Sequence, residues 1–200
     1  MKPKKILFLI LAIICCIAAD CGKDNDKPTY YMPQDFKDYV MYPVGSYWIY
    51  EDSVSGDIDS IYLLSYETYI FETGHSSSFN YERLEQTFYS SYWLKQCLGI
   101  SMVEYNTNPL IYIYKGLLGY YFGDCNVGTN IQHGEYLAYS DSLKINNKWY
   151  KTVKCFSYTY NQKFSKYYWS KDIGGIRKEE YTSSTDTIMV WNLKKYYINN

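Results

Sequence analysis

Histidine is almost absent. The chain holds only two, His75 and His133, in 200 residues. Most zinc centres and hydrolase triads depend on imidazole, so this scarcity works against both. Gly74-His75-Ser76-Ser77-Ser78 lacks the strand-to-helix elbow of a hydrolase, and Gln132-His133-Gly134 reads as a turn with no nucleophile motif beside it. A phosphate-cradling loop is missing too, because Gly116, Gly119 and Gly123 are separated by bulky residues and no Lys-Ser pair follows. Charge of one sign is also lacking: 20 Lys plus Arg stand against 21 Asp plus Glu, a net charge of -1. That balance leaves no electrostatic footprint for nucleic acid, and Arg177-Lys178 and Lys194-Lys195 are too short to make one. The carboxylate pairs Glu82 with Glu85 and Glu179 with Glu180 read as solvated strand faces rather than as a glycosidase centre.

What the chain has instead is tyrosine. With 27 Tyr, 8 Phe and 5 Trp, aromatic residues reach 20% of the sequence, a composition that favours strands. No segment keeps an i, i+3, i+4, i+7 apolar stripe for more than two turns. Short aromatic and β-branched runs broken by Gly, Asn, Asp and Ser predict a mainly all-β fold: a curved antiparallel sheet, half-barrel or barrel-like, with at most one or two short helices. A helix or turn is expected over Pro33 to Tyr42. Strands are expected near Tyr47 to Asp52, Ser60 to Thr73, Phe79 to Phe88, Tyr92 to Cys97, Ser101 to Tyr105, Leu110 to Lys115 and Gly119 to Phe122. The second half predicts Glu135 to Tyr139, Leu143 to Ile145, Lys148 to Tyr160, Lys166 to Ser170, Gly175 to Tyr181 and Thr187 to Ile198. Asn146-Asn147 marks a two-residue hairpin turn, because asparagine tolerates the positive φ such a turn requires.

The first residues suggest a destination. Lys2, Lys4 and Lys5 precede the uninterrupted apolar run Ile6 to Ala19, which is shorter than the roughly 20 residues a membrane-crossing helix needs. It reads as a secretory signal peptide over residues 1–20. The run ends at Ala18-Ala19-Asp20-Cys21, which resembles a bacterial lipoprotein signal, with Asp20 where a small residue is usual. That resemblance implies lipidation of Cys21, followed by a flexible tether over 21–32, and the strand pattern predicts a single antiparallel β domain over 33–200. The polar stretch Gly22 to Pro28 is similar to the export signal of Bacteroidetes surface lipoproteins.

Cys15 and Cys16 lie in the leader and Cys21 is the expected lipid site, leaving Cys97, Cys125 and Cys155. An odd number leaves at least one thiol unpaired, and the spacing matches no zinc motif. Neither a metal nor another cofactor is expected.

Tyr42-Pro43-Val44-Gly45-Ser46-Tyr47-Trp48-Ile49-Tyr50 resembles an opening segment of uncharacterised Bacteroidetes lipoproteins. Leu143 to Val153 is similar to a hairpin of that group, with Asn147 where glycine is usual, and Tyr168 to Arg177 is similar to its late glycine-containing segment. The antiparallel layout also resembles the LolA-like half-barrel, which implies a possible cavity for a hydrophobic ligand. Asp52-Ser53-Val54, Asp59-Ser60-Ile61, Asp141-Ser142-Leu143 and Asp186-Thr187-Ile188 resemble the O-glycosylation sequon of the same phylum, and read equally well as strand entries after polar turns.

The functional expectation is a lipid-anchored protein of the outer membrane, facing the cell surface or the periplasm and not an enzyme. It would bind a glycan or protein partner through aromatic side chains, with no nucleic acid. The alternative is a periplasmic carrier or sensor of a hydrophobic ligand. Tyr167 and Trp169 share a strand face, as do Trp149 and Lys151, so Trp149, Tyr167 and Trp169 are the candidate ligand-binding residues.

Overall fold

Asn146 and Asn147 both take positive φ, 46° and 65°, and the chain turns back on itself there. This hairpin is one of a series that builds the sheet. The computed structural model describes residues 27–72, 79–103, 109–113, 121–122, 130–131, 134–160, 163–182 and 187–199. The leader and Cys21 lie outside the described residues, as do His75, His133 and Cys125. In chain order the elements are β1 (Thr29–Tyr30), α1 (Gln34–Val40), β2 (Tyr47–Asp52), β3 (Ile58–Phe71), β4 (Asn80–Ser90), β5 (Lys95–Val103) and β6 (Pro109–Ile113). They continue with β7 (Tyr121–Phe122), β8 (Asn130–Ile131), β9 (Gly134–Ile145), β10 (Lys148–Tyr160), β11 (Lys163–Ser170), β12 (Gly174–Tyr181) and β13 (Thr187–Tyr197).

All the strands join one curved sheet that does not close. Its order is β7-β6-β5-β4-β3-β2-β13-β12-β11-β10-β9-β8, with β1 added in parallel to β4. Each neighbour along that order is antiparallel, so the chain meanders, and β13 pairs with β2 to join the late half to the early half. The expected all-β class and short helix are what the structure has.

Directly opposed residues in an antiparallel pair share a face. Trp48 and Tyr50 of β2, Ile61 and Leu63 of β3, Leu84 and Phe88 of β4, Phe156 of β10, Tyr167 and Trp169 of β11, Ile176 of β12 and Leu193 of β13 are all buried in one core. Helix α1 lies on this core, burying Phe36, Tyr39 and Val40. Buried tyrosine and tryptophan need partners for their polar tips. Here they reach backbone carbonyls across the core: Trp48 Nε1 donates to Ile173 at 2.6 Å, Tyr50 to Gly175 at 2.7 Å and Tyr39 to Thr152 at 3.0 Å.

The residues before the helix are fastened as well. The Met32 N–H donates to Glu82 Oε2 at 2.8 Å, and Lys37 Nζ meets Glu82 Oε1 at 2.8 Å. Glu82 is therefore buried and paired, not on a solvated strand face. Glu179 is corrected likewise, buried against Arg177 Nε at 2.6 Å and the Tyr181 hydroxyl.

Several strand boundaries also differ from expectation. Glu135 to Tyr139 and Leu143 to Ile145 are one strand, β9, since the polar Ser140 to Ser142 stretch stays paired to β10. The strand expected over Tyr92 to Cys97 begins only at Lys95, because 91–94 form a turn.

Candidate functional site: an aromatic turn

The turn between β4 and β5 exposes Tyr92, Trp93 and Leu94, with Trp93 48% and Leu94 78% accessible. Leu94 takes φ 50°, a left-handed conformation that is uncommon and costly for a bulky side chain. Such strain persists only when the surroundings hold it in place. The residues just before Leu94 are fastened by a carboxylate. Asp59, fully buried at the start of β3, accepts the Ser90 hydroxyl at 2.9 Å on both oxygens, the Ser91 hydroxyl at 3.3 Å and the Tyr92 N–H at 3.0 Å. Ser90 Oγ in turn accepts the Trp93 N–H at 3.2 Å. Ser91 exchanges two further bonds with the Ser60 backbone, at 2.7 and 3.1 Å.

The rings are set by the same arrangement. Tyr92 meets Trp191 of β13 edge-to-face at 5.2 Å and Trp93 at 5.3 Å. The adjacent turn between β2 and β3 adds exposed Val54 and Ile58 at the same end of the sheet. A second buried carboxylate, Asp52, holds that turn through the Val54 N–H at 3.1 Å, Ser55 Oγ at 2.9 Å and the Val190 N–H at 2.8 Å. Burial alone would raise Asp52, but these hydrogen bonds outweigh it and hold the carboxyl below its ordinary value.

Position in the sheet matters. Pro28 and β1 sit beside Asn80, at the opposite end of β4 from Ser90. A strand of that length spans about 33 Å, so the aromatic turn stands far from the N-terminal segment.

The residues expected to bind ligand are not brought together. Trp149 is 64% exposed on β10, whereas Trp169 is 2% exposed and Tyr167 is buried with it in the core. Tyr167 and Trp169 belong to the buried core cluster that also holds Phe36 and Tyr39 of α1, so the expectation of a surface there is corrected. Trp93 and Leu94 were missed because an aromatic run reads as strand, and no sequence rule places a left-handed leucine.

Other chemistry on the sheet is weakly reactive. Burial pushes the Cys155 thiol up to about 11, and the nearby Tyr168 hydroxyl and Lys166 only partly offset this. Burial and the bond to Glu179 push Tyr181 up to about 12. Among the described residues no cluster of His, Cys, Asp and Glu could hold a metal ion. The core-facing side is filled by α1 and buried aromatics, and the cleft beside the helix is edged by Lys37, Asp38 and Asp172 rather than by apolar groups alone. No family model, no curated protein and no solved structure matches the chain.

Proposed function

We propose that the chain is a lipid-anchored, non-enzymatic protein of the outer membrane that binds a protein partner through its aromatic turn. The observation that carries this reading is the exposure of Trp93 and Leu94 on a turn fastened to buried Asp59 through Ser90, Ser91 and Tyr92. Exposed apolar groups held in a strained backbone give a partner a preorganised contact, with little ordering entropy left to lose on binding. A protein surface suits the site better than a sugar, because Leu94, Val54 and Ile58 surround the Tyr92 and Trp93 rings with exposed aliphatic bulk. The lipoprotein-like leader supports anchoring at Cys21, which leaves the β domain free of any need for its own membrane-binding face.

Photo-crosslinking in intact cells tests the reading, with the crosslinker at Val54 so that the turn stays native. A defined protein adduct that disappears on combining Trp93→Ala with Leu94→Ser is expected. The same adduct from a crosslinker at Trp149, or adduct formation indifferent to the two substitutions, overturns it. Retention on a polysaccharide column that depends on Trp93 would reassign the turn to a glycan. Palmitate incorporation abolished by Cys21→Ala is expected for the anchor, and incorporation unaffected by that change would remove it.

A further inference from the structure

We infer that the cleft beside α1 binds a small organic cation, with an alkylammonium group seated between the Asp172 carboxylate and the Tyr66 ring. The site shares no lining residue with the aromatic turn and does not depend on it. The cleft has a volume of about 540 Å³, within the range of small-molecule sites. Helix α1 supplies one wall through Gln34 and Asp38, Met41 just after it continues that wall, and Tyr66 of β3 lines the cleft too.

The charges around it do not cancel. Lys37 is committed to Glu82 at 2.8 Å. Asp38 is committed to Lys171 at 2.9 Å and accepts Gln34 Nε2 at 2.7 Å, and both bonds hold its carboxyl below the ordinary value. Asp35, behind the helix, takes Lys154 at 3.3 Å and Lys171 at 3.4 Å. Asp172 is the lining charge left over, with no ion-pair partner among the described residues. The cleft therefore carries a net negative charge, which repels anions and favours cations.

The backbone that carries the leftover carboxylate is held in place. Asp172 takes φ 60°, and its N–H donates to the Asp38 carbonyl at 2.9 Å. Two residues on, Gly174 takes φ 97° against the Tyr42 hydroxyl, which would lie 2.9 Å from any Cβ at that position. The turn is thus pinned between α1 and Tyr42. Asp172 also lies close enough to Tyr42, in the same cleft, to disfavour ionisation of its phenol after burial has done most of that. Tyr66 stands opposite buried Gln86 but is itself 41% exposed, and its ring meets no other ring among the described residues. Tyr66 and Asp172 line the same cleft, so a cation held there would meet a ring quadrupole and an uncompensated full charge.

The test is saturation-transfer NMR and calorimetry on the full chain in a sugar-headgroup detergent, with choline chloride as the probe. Its neutral isostere 3,3-dimethyl-1-butanol and sodium acetate serve as controls. Choline is expected to bind at least about tenfold more tightly than the isostere, with acetate not binding. Asp172→Asn should weaken choline by about tenfold or more without lowering the unfolding midpoint, because asparagine accepts the same left-handed backbone. Tyr66→Ala should weaken it as well, and Trp93→Ala should leave it unchanged. No choline binding at tens of millimolar, equal binding of the isostere, or indifference to Asp172→Asn would each overturn the inference.

Discussion

Ser90 places its hydroxyl 2.9 Å from both carboxylate oxygens of Asp59, and through that pair the end of β4 is locked to the start of β3. Replacing Asp59 with alanine strands the buried Ser90 hydroxyl and the Tyr92 N–H. The expected cost is about 1–3 kcal/mol, the usual penalty for leaving buried polar groups unsatisfied. Urea unfolding measures it. An Asp59→Ala variant with the wild-type midpoint would show that the turn does not rest on this carboxylate.

Trp169 and Trp149 should behave as opposites. Truncating Trp169 to alanine empties a core site and is expected to cost about 3–5 kcal/mol. Truncating Trp149, which projects into solvent, should change stability by less than about 0.5 kcal/mol. Parallel denaturation curves decide between this ranking and a role for Trp169 outside the core.

Asp52 gives the fold an acid limit. Its pKa is depressed in the folded state from an unfolded value of about 3.9, so its contribution is fully present above that value. It is lost as pH falls through the lower folded value, where the native carboxylate must take up a proton. Asp52→Asn should therefore be less stable than wild type at pH 7, with the gap shrinking below about pH 4. Urea midpoints from pH 2 to 7 follow the two curves, and a gap independent of pH would remove the charge from the account.

Cys155 should be a silent thiol. With a pKa pushed up to about 11 and the side chain buried, little thiolate exists at neutral pH. In a chain with Cys21→Ala, Cys97→Ser and Cys125→Ser, iodoacetamide labelling at pH 8 should be slow for native protein and rapid in urea. Rapid native labelling would mean the site opens.

Much of the architecture could be read from residue order. The Asn146-Asn147 turn and the helix Gln34–Val40, within the expected Pro33 to Tyr42 span, follow from local chemistry, since a positive φ and a proline boundary are decided within a few residues. Which face of β11 turns inward could not be read the same way. Tyr167 and Trp169 carry both apolar bulk and polar atoms, so they suit a core and a binding surface equally, and only the placement of α1 decides. Asp52 and Asp59 each precede a serine, and in sequence that motif does not separate a modification site from a turn anchor. The structure buries both carboxylates at strand ends, each bonded to a turn. The aromatic turn itself depends on Asp59, some thirty positions upstream of Tyr92, and no local pattern joins the two.

The pairing of β2 with β13 has a consequence for how the chain comes to be folded. The first long strand of the sheet finds one of its two neighbours only in the last, so Trp48 and Tyr50 cannot be fully covered until Leu193 has been made. Contacts so distant in sequence close slowly. A chain threaded N-terminus first through a narrow translocation channel would emerge with its early strand still waiting for a partner, unable to complete its sheet before the whole polypeptide has crossed.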